Sequence, residues 1–232
     1  FSSSRRHTRY RRSSRGLGDV YKRQVLNGMN GAKFVENGIR GGRQKGYRAL
    51  WIDVGGVAAL DYESAQFGAT VSGYYGGADH GLILDPMDAQ ISVQNWIGEA
   101  HGYWRGSGLE LRGLVAYSGI EGAADLSDAS TTIPERQLGW YLEAAYDIAP
   151  LFADQPGYRV EPWVRYEDYD LQHKVGEGFV ADPSKDRQSI TAGVHFMPHA
   201  QVVIKGEWEH LTTASDADDP TDEVRVGAGF VF

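Results

Sequence analysis

The chain has 232 residues, 30 of them glycine and none cysteine, with 12% aromatic residues, a formal charge of −8 and a mean hydropathy of −0.42. The length fits one large all-β domain or two small ones, and the lack of cysteine excludes a disulfide framework and any thiolate nucleophile or thiolate metal site. No run approaches the roughly 18 apolar residues of a transmembrane helix, whereas a membrane β-barrel alternates apolar and polar residues and keeps a low mean hydropathy.

The charge is uneven along the chain. Residues 1–24 hold eight basic side chains (Arg5, Arg6, Arg9, Arg11, Arg12, Arg15, Lys22 and Arg23) and one acid, Asp19, against 15 basic and 30 acidic residues in the rest. Such a head reads as an arm for nucleic acid or anionic lipid, or as a segment foreign to the fold. The second is the expectation, without a nucleic-acid partner, because "SSSRRHTRYRRSSRGLGDVYKRQ" resembles translated sequencing-adapter DNA. Residues 1–24 are then disordered and stand in place of the natural start. No apolar signal-peptide segment is visible there.

From residue 25 onward the pattern has period two. It predicts strands over 52–62, 67–75, 96–104, 109–117, 136–148, 158–169, 189–197, 201–211 and 223–232, about nine in all. Many approach the nine to eleven residues, roughly, that a tilted strand needs to cross a bilayer. The connections alternate: 63–66, 105–108, 149–157 and 198–200 are short, while 76–90, 119–134, 170–187 and 212–222 are long, and a Gly-rich stretch, 27–50, precedes the first strand. One trimmed rim and one elaborated rim is the signature of an antiparallel up-and-down barrel with short periplasmic turns and longer outer loops. The expected fold is therefore all-β, an incomplete transmembrane barrel occupying residues 25–232.

The two faces of these strands differ. One is aliphatic and ends in aromatics: Tyr62, Phe67, Trp104, Tyr146, Tyr158, Phe196, Phe230 and Phe232 toward the short turns, and Tyr75, Trp96, Tyr117, Trp140, Tyr166 and Trp208 toward the long loops. Two aromatic belts around an aliphatic band suit a wall that meets two membrane interfaces. The other face carries Glu99, His101, Glu110, Arg112, Glu143, Asp147, Arg159, Glu161, Arg165, Glu167, Lys205, Glu207, Glu209, Glu223 and Arg225. Charges at every second position are too costly to bury unpaired, so this face is expected to line a wet pore.

These segments resemble a known family. "NGIRGGRQKG" (37–46), "ERQLGWYLEAAYDI" (135–148), "VEPWVRYEDYD" (160–170), "ITAGVHFMPHAQVVIKGEWEH" (190–210) and the aromatic-terminated last strand are similar to outer-membrane porins of the phosphate-selective porin O/P superfamily, over about residues 25–232. The resemblance implies the C-terminal part of a porin of sixteen or so strands, in the outer membrane of a Gram-negative bacterium, among lipid and lipopolysaccharide. It implies a homotrimer when full length, passive diffusion of small hydrophilic solutes or ions, phosphate or other anions among them, and a last strand whose Phe230 and Phe232 are read by the barrel-assembly machinery. It implies neither catalysis nor a cofactor.

Anion selectivity does not transfer directly. Five basic residues on the wall face nine acids, a balance that favours cations or weak selectivity. One basic cluster, Arg40, Arg43, Lys45 and Arg48, would form an anion-attracting constriction if segment 27–50 enters the pore, and a solvated outer loop if it does not, the outer loop being the plainer reading. No nucleophile elbow, P-loop or dinucleotide fingerprint occurs. An outer-membrane hydrolase is the alternative function, with His80, His101, His173 and His210 as its only candidates near the long-loop rim or lumen, and no companion nucleophile. His195 and His199 have no carboxylate helper for a metal. The acidic "SDADDPTDE" (215–223) lacks the spacing of a calcium loop.

Overall fold

The alternating segments form one continuous sheet. The computed structural model describes residues 20–44, 49–84, 87–154 and 157–230. Its strands are β1 (Val20–Asn27), β2 (Val54–Glu63), β3 (Phe67–Gly77), β4 (Gln94–Gly106), β5 (Leu109–Glu121), β6 (Pro134–Tyr146), β7 (Arg159–Val175), β8 (Asp186–His199), β9 (Val202–Thr213) and β10 (Thr221–Phe230). Each pairs antiparallel with its sequence neighbours, in the order β1 to β10. The fold is all-β and up-and-down. Among the described residues β1 and β10 do not pair with each other, so the sheet is open.

Ten strands replace the nine expected. The extra one is β1, whose first five residues, 20–24, belong to the segment set apart as foreign. A β-ladder is made by backbone groups, so no apolar alternation is needed to recruit an edge strand. Val20 to Asn27 pair in register with Asp61 to Val54, and Lys22 Nζ reaches Asp61 Oδ2 at 2.6 Å. Residues 1–19 lie outside the described residues. Arg23 nevertheless fits its face poorly: midway along β1, opposite Ala58, it shares the aliphatic side of the sheet.

Turn chemistry fixes one rim. Residues 64–66, 107–108 and 200–201 join β2 to β3, β4 to β5 and β8 to β9. Ser107 and Gly108 both have positive φ (51° and 81°), the backbone of a type I′ turn whose twist matches a tight hairpin. The connection 147–158 is the longer exception at that rim. At the other rim the connections are 28–53, 78–93, 122–133, 176–185 and 214–220. They enclose a small apolar cluster. Phe34, Ala78, Val93, Ile120, Ala123 and Ile133 are buried there, and Met29, Ile39, Ile83, Ile91 and Leu126 pack around them.

Away from that cluster the aliphatic face is bare. Val71 is 60% exposed, Leu142 62% and Val226 81%. The aromatics at its two ends meet across strands, Tyr62 with Phe67 and Tyr158 with Phe196 near the short turns, Trp96 with Tyr117 and Trp140 with Tyr166 near the long loops, with ring centroids 5.3–6.2 Å apart. Offset and edge-on contacts of this kind favour aromatic pairs beyond the area they cover.

Candidate functional site

Strand parity puts the charged side chains together on the opposite, concave face. Registers align Arg112 with Glu143 and Arg165, and Glu167, Lys205, Glu207, Glu209 and Arg225 continue along β7, β9 and β10. The charges are interleaved rather than segregated. Glu110 accepts from Arg105 Nε at 2.6 Å and also pairs with Arg112. Glu143 Oε2 accepts from Arg165 Nη2 at 2.6 Å, and Arg112 Nε lies 3.8 Å from its other oxygen. Arg165 Nη1 reaches Glu167 at 3.8 Å. Near the short turns Arg159 pairs with Glu161 and, at 3.4 Å, with Asp147.

On the last two strands Arg225 gathers three carboxylates, Glu207 at 3.1 Å, Glu223 at 2.9 Å and Glu209. Glu99 pairs with His101 and accepts from Ser72 Oγ at 2.8 Å. Lys205 makes no ion pair among the described residues. Between Glu143, Arg165, Lys205, Glu207 and Arg225 a polar cleft of about 270 Å³ opens. Each exposed pair contributes little stability, about 0–1 kcal/mol. Their effect is electrostatic: Arg112, Arg159, Arg165 and Arg225 are each matched by at least one carboxylate, and a surplus of acids stays.

Aromatics stand among these charges too, Tyr141 with Arg165 4.9 Å from its ring, and Trp163 more deeply. Trp163, on β7, is 8% exposed, and Arg165 and His195 lie 5.5 and 5.4 Å from its ring. Nothing in the charged pattern singled it out. The cue available was its odd number within β7, the parity of Glu161 and Arg165.

The Gly-rich stretch after β1 also lies on this face. Residues 28–44 form a strap that leaves β1, makes two short 3₁₀ turns, Gly31–Lys33 and Ile39–Gly42, and runs against the wall. Its anchors are polar strand residues. Gln137 Nε2 donates to the Asn37 carbonyl at 3.2 Å, and Gln172 Nε2 donates to the carbonyls of Glu36 (3.3 Å) and Thr132 (3.0 Å). Lys185 Nζ lies 3.6 Å from Glu36.

Gln172 is 2% exposed. It sits where β7 bulges: Arg136 stands opposite Lys174 but Leu138 opposite Asp170. An irregularity of this kind re-aims a strand side chain. The strap turns at Gly38, with φ of 78°, where an added Cβ would meet the Gln137 amide at 2.1 Å. Only glycine satisfies both the backbone and the space.

Arg40 and Arg43 therefore sit on a segment folded against the concave wall, not on an outward loop, because its apolar residues join the rim cluster while its carbonyls take the strand amides. Lys45 and Arg48 lie outside the described residues. Phe230 ends β10 with its side chain 71% exposed, and Phe232 lies outside the described residues.

The histidines are committed elsewhere. His80 is 2% exposed; its ring Nδ1 accepts the Asp53 backbone N–H at 3.0 Å, its ring Nε2 lies 2.9 Å from Gln44 Nε2, and its backbone N–H donates to Asp53 Oδ2 at 2.6 Å. His173 and His210 lie 3.6 and 3.0 Å from Asp170 and Asp222. Among the described residues none of these imidazoles bonds a serine or threonine hydroxyl, and no group of three His, Asp or Glu side chains is placed to hold a metal ion. His195 faces the concave side, and His199 lies beyond a register shift in β8. In the long connections Asp79, like Asp128 and Asp182, has a structural task. Burial raises its pKa, but the N–H groups of Val93 (3.0 Å) and Gly81 (2.7 Å) and the Gln90 amide outweigh burial and hold it below the usual carboxylate range.

Comparison with protein-family models and with curated proteins gives no match.

Proposed function

We propose that the chain is the C-terminal part of an outer-membrane porin, a wall of a water-filled channel through which small hydrophilic solutes or ions diffuse passively. The observation that carries this reading is the inversion of the two faces. Aliphatic side chains bounded by two aromatic levels point outward and bare, while the charged side chains point into the concavity. A sheet in water covers its aliphatic side with a second layer, and among the described residues none covers this one. A bilayer does so, with the aromatics at its interfaces.

The strap narrows the channel near the long-loop rim and places Arg40 and Arg43 beside a wall that is otherwise acid-rich. In this reading outer-membrane lipid and lipopolysaccharide surround the wall, the assembly machinery reads Phe230 and Phe232, and strands beyond the present ten complete the barrel, which associates as a trimer. The resemblance to phosphate-selective porins supports the membrane assignment. The acid surplus on the wall argues for weak or cation-leaning selectivity below the strap.

Quenching by brominated lipids tests the faces. Single-tryptophan variants refolded into vesicles should show Trp104, Trp140 or Trp208 quenched strongly and Trp163 little. Equal quenching of Trp163 would overturn the assignment of faces, and a folded, inserted complete protein that never conducts ions in planar bilayers would remove the channel.

A further inference from the structure

Where the strap meets the wall a cleft of about 570 Å³ opens, within the range of small-molecule sites (about 300–1,000 Å³). Its lining has two characters. Ile39 from the strap and Ile97 and Leu171 from the wall, with the Tyr169 ring, supply apolar surface. Arg40, Lys185 and Arg187 supply positive charge, and no carboxylate is among the lining residues. This is the reverse of the acid-rich wall on β9 and β10.

The three cations are not equally free. Lys185 has Glu36 at 3.6 Å, and Arg187 spends its Nε on the Ser184 carbonyl at 2.8 Å. Arg40 makes no ion pair among the described residues. The Ser184 carbonyl takes one Arg187 donor but no charge, so Arg40 and Arg187 both stay cationic toward a ligand carboxylate, which a guanidinium fork meets best. An inorganic oxyanion would meet the same guanidiniums but shed the rest of its water against Ile39, Ile97 and Leu171, which offer it no hydrogen bond. An anion with an apolar body would bury that body there and, if aromatic, lie against Tyr169.

We propose that this cleft is a binding site for small organic monocarboxylates with an apolar or aromatic body, held by Arg40 and Arg187 between strap and wall. The proposal deepens the channel reading, and rests on it, by naming a solute class. Binding itself requires no conduction, so the two fail separately.

Equilibrium dialysis of the full chain, refolded in detergent micelles, tests it with benzoate, inorganic phosphate and the neutral benzyl alcohol as probes. Benzoate should bind saturably, with phosphate and benzyl alcohol each at least about tenfold weaker. Arg40→Ala should weaken benzoate about tenfold, one lost charge-assisted contact, Arg40→Lys should restore part of it, and Ile97→Asn should weaken benzoate without improving phosphate. Circular dichroism confirms that each variant folds, and Arg40 is exposed on the strap, so its loss spares the sheet. Phosphate binding as tightly as benzoate would leave only an anion site, and benzyl alcohol binding as tightly would leave only an apolar cleft. Either result, or no binding of benzoate by the folded chain, overturns the proposal.

Discussion

Val71 offers a direct measurement of what the aliphatic face touches. It lies on β3 midway between Phe67 and Tyr75, about 13 Å along the strand from each by strand rise, and it is 60% exposed. Consider Val71→Lys. If the face is in water, the ammonium meets the same solvent the valine met, and the cost is within about 0.5 kcal/mol, as for other surface changes. If the face is in lipid, a lysine near mid-height costs about 2–4 kcal/mol, a factor of about 30 to about 900 in the folding equilibrium.

The control is His101→Lys on neighbouring β4, which points the other way and keeps Glu99 as a partner. It should cost within about 0.5 kcal/mol in either solvent. Urea titration of the chain refolded into phosphatidylcholine vesicles, followed by tryptophan emission, reads both. A Val71→Lys midpoint equal to that of His101→Lys would refute the reasoning that the exposed aliphatic band is solvated by hydrocarbon.

Three further outcomes follow from the rim and the wall. Phe34→Ala empties the apolar cluster that holds the strap, at about 3–5 kcal/mol; amides of residues 31–42 should then exchange fast while those of β5 stay protected. Asp79 has a lowered pKa in the folded state. Its stabilising bonds are therefore fully present above the unfolded value of about 3.9 and are lost as pH falls through the lower folded value; exchange of the Val93 amide should accelerate over that acid window, and Asp79→Asn should abolish the pH dependence. Arg225→Gln releases Glu207, Glu209 and Glu223 into the concavity, and the reversal potential of the conducting protein should move toward stronger cation preference.

The sheet was readable in the sequence because its physics is periodic. From β2 to β10 one face of each strand is largely apolar and the other polar or charged, and each predicted segment falls within or close to the observed strand. Where that contrast fades, the reading failed. β7 continues to Val175 through "DLQHKV", six residues past the predicted end, because polar residues at the rim alternate with nothing. β1 was missed because its first five residues belong to the basic head that resembles adapter sequence, although backbone pairing with β2 needs no apolar pattern.

The strap shows the same limit in the site. Nothing local in residues 28–44 says inward or outward. The decision is made by Gln137 and Gln172, lone amides on distant strands whose register at the bulge cannot be counted from the sequence. The organisation of the wall was legible residue by residue, and the cleft that the strap creates was not.

The strap has a mechanical consequence as well. It starts at β1, the edge of the sheet, and is tied by Gln137, Gln172 and Lys185 to β6, β7 and the turn before β8. It is a chord drawn across an arc. A chord of fixed length sets the radius of its arc, so the curvature of the sheet near this rim is tied to the ten residues, 28–37, between the end of β1 and the wall contacts. Lengthening that chord would let the arc flatten at the long-loop rim first, while the hairpins at the opposite rim kept their bend.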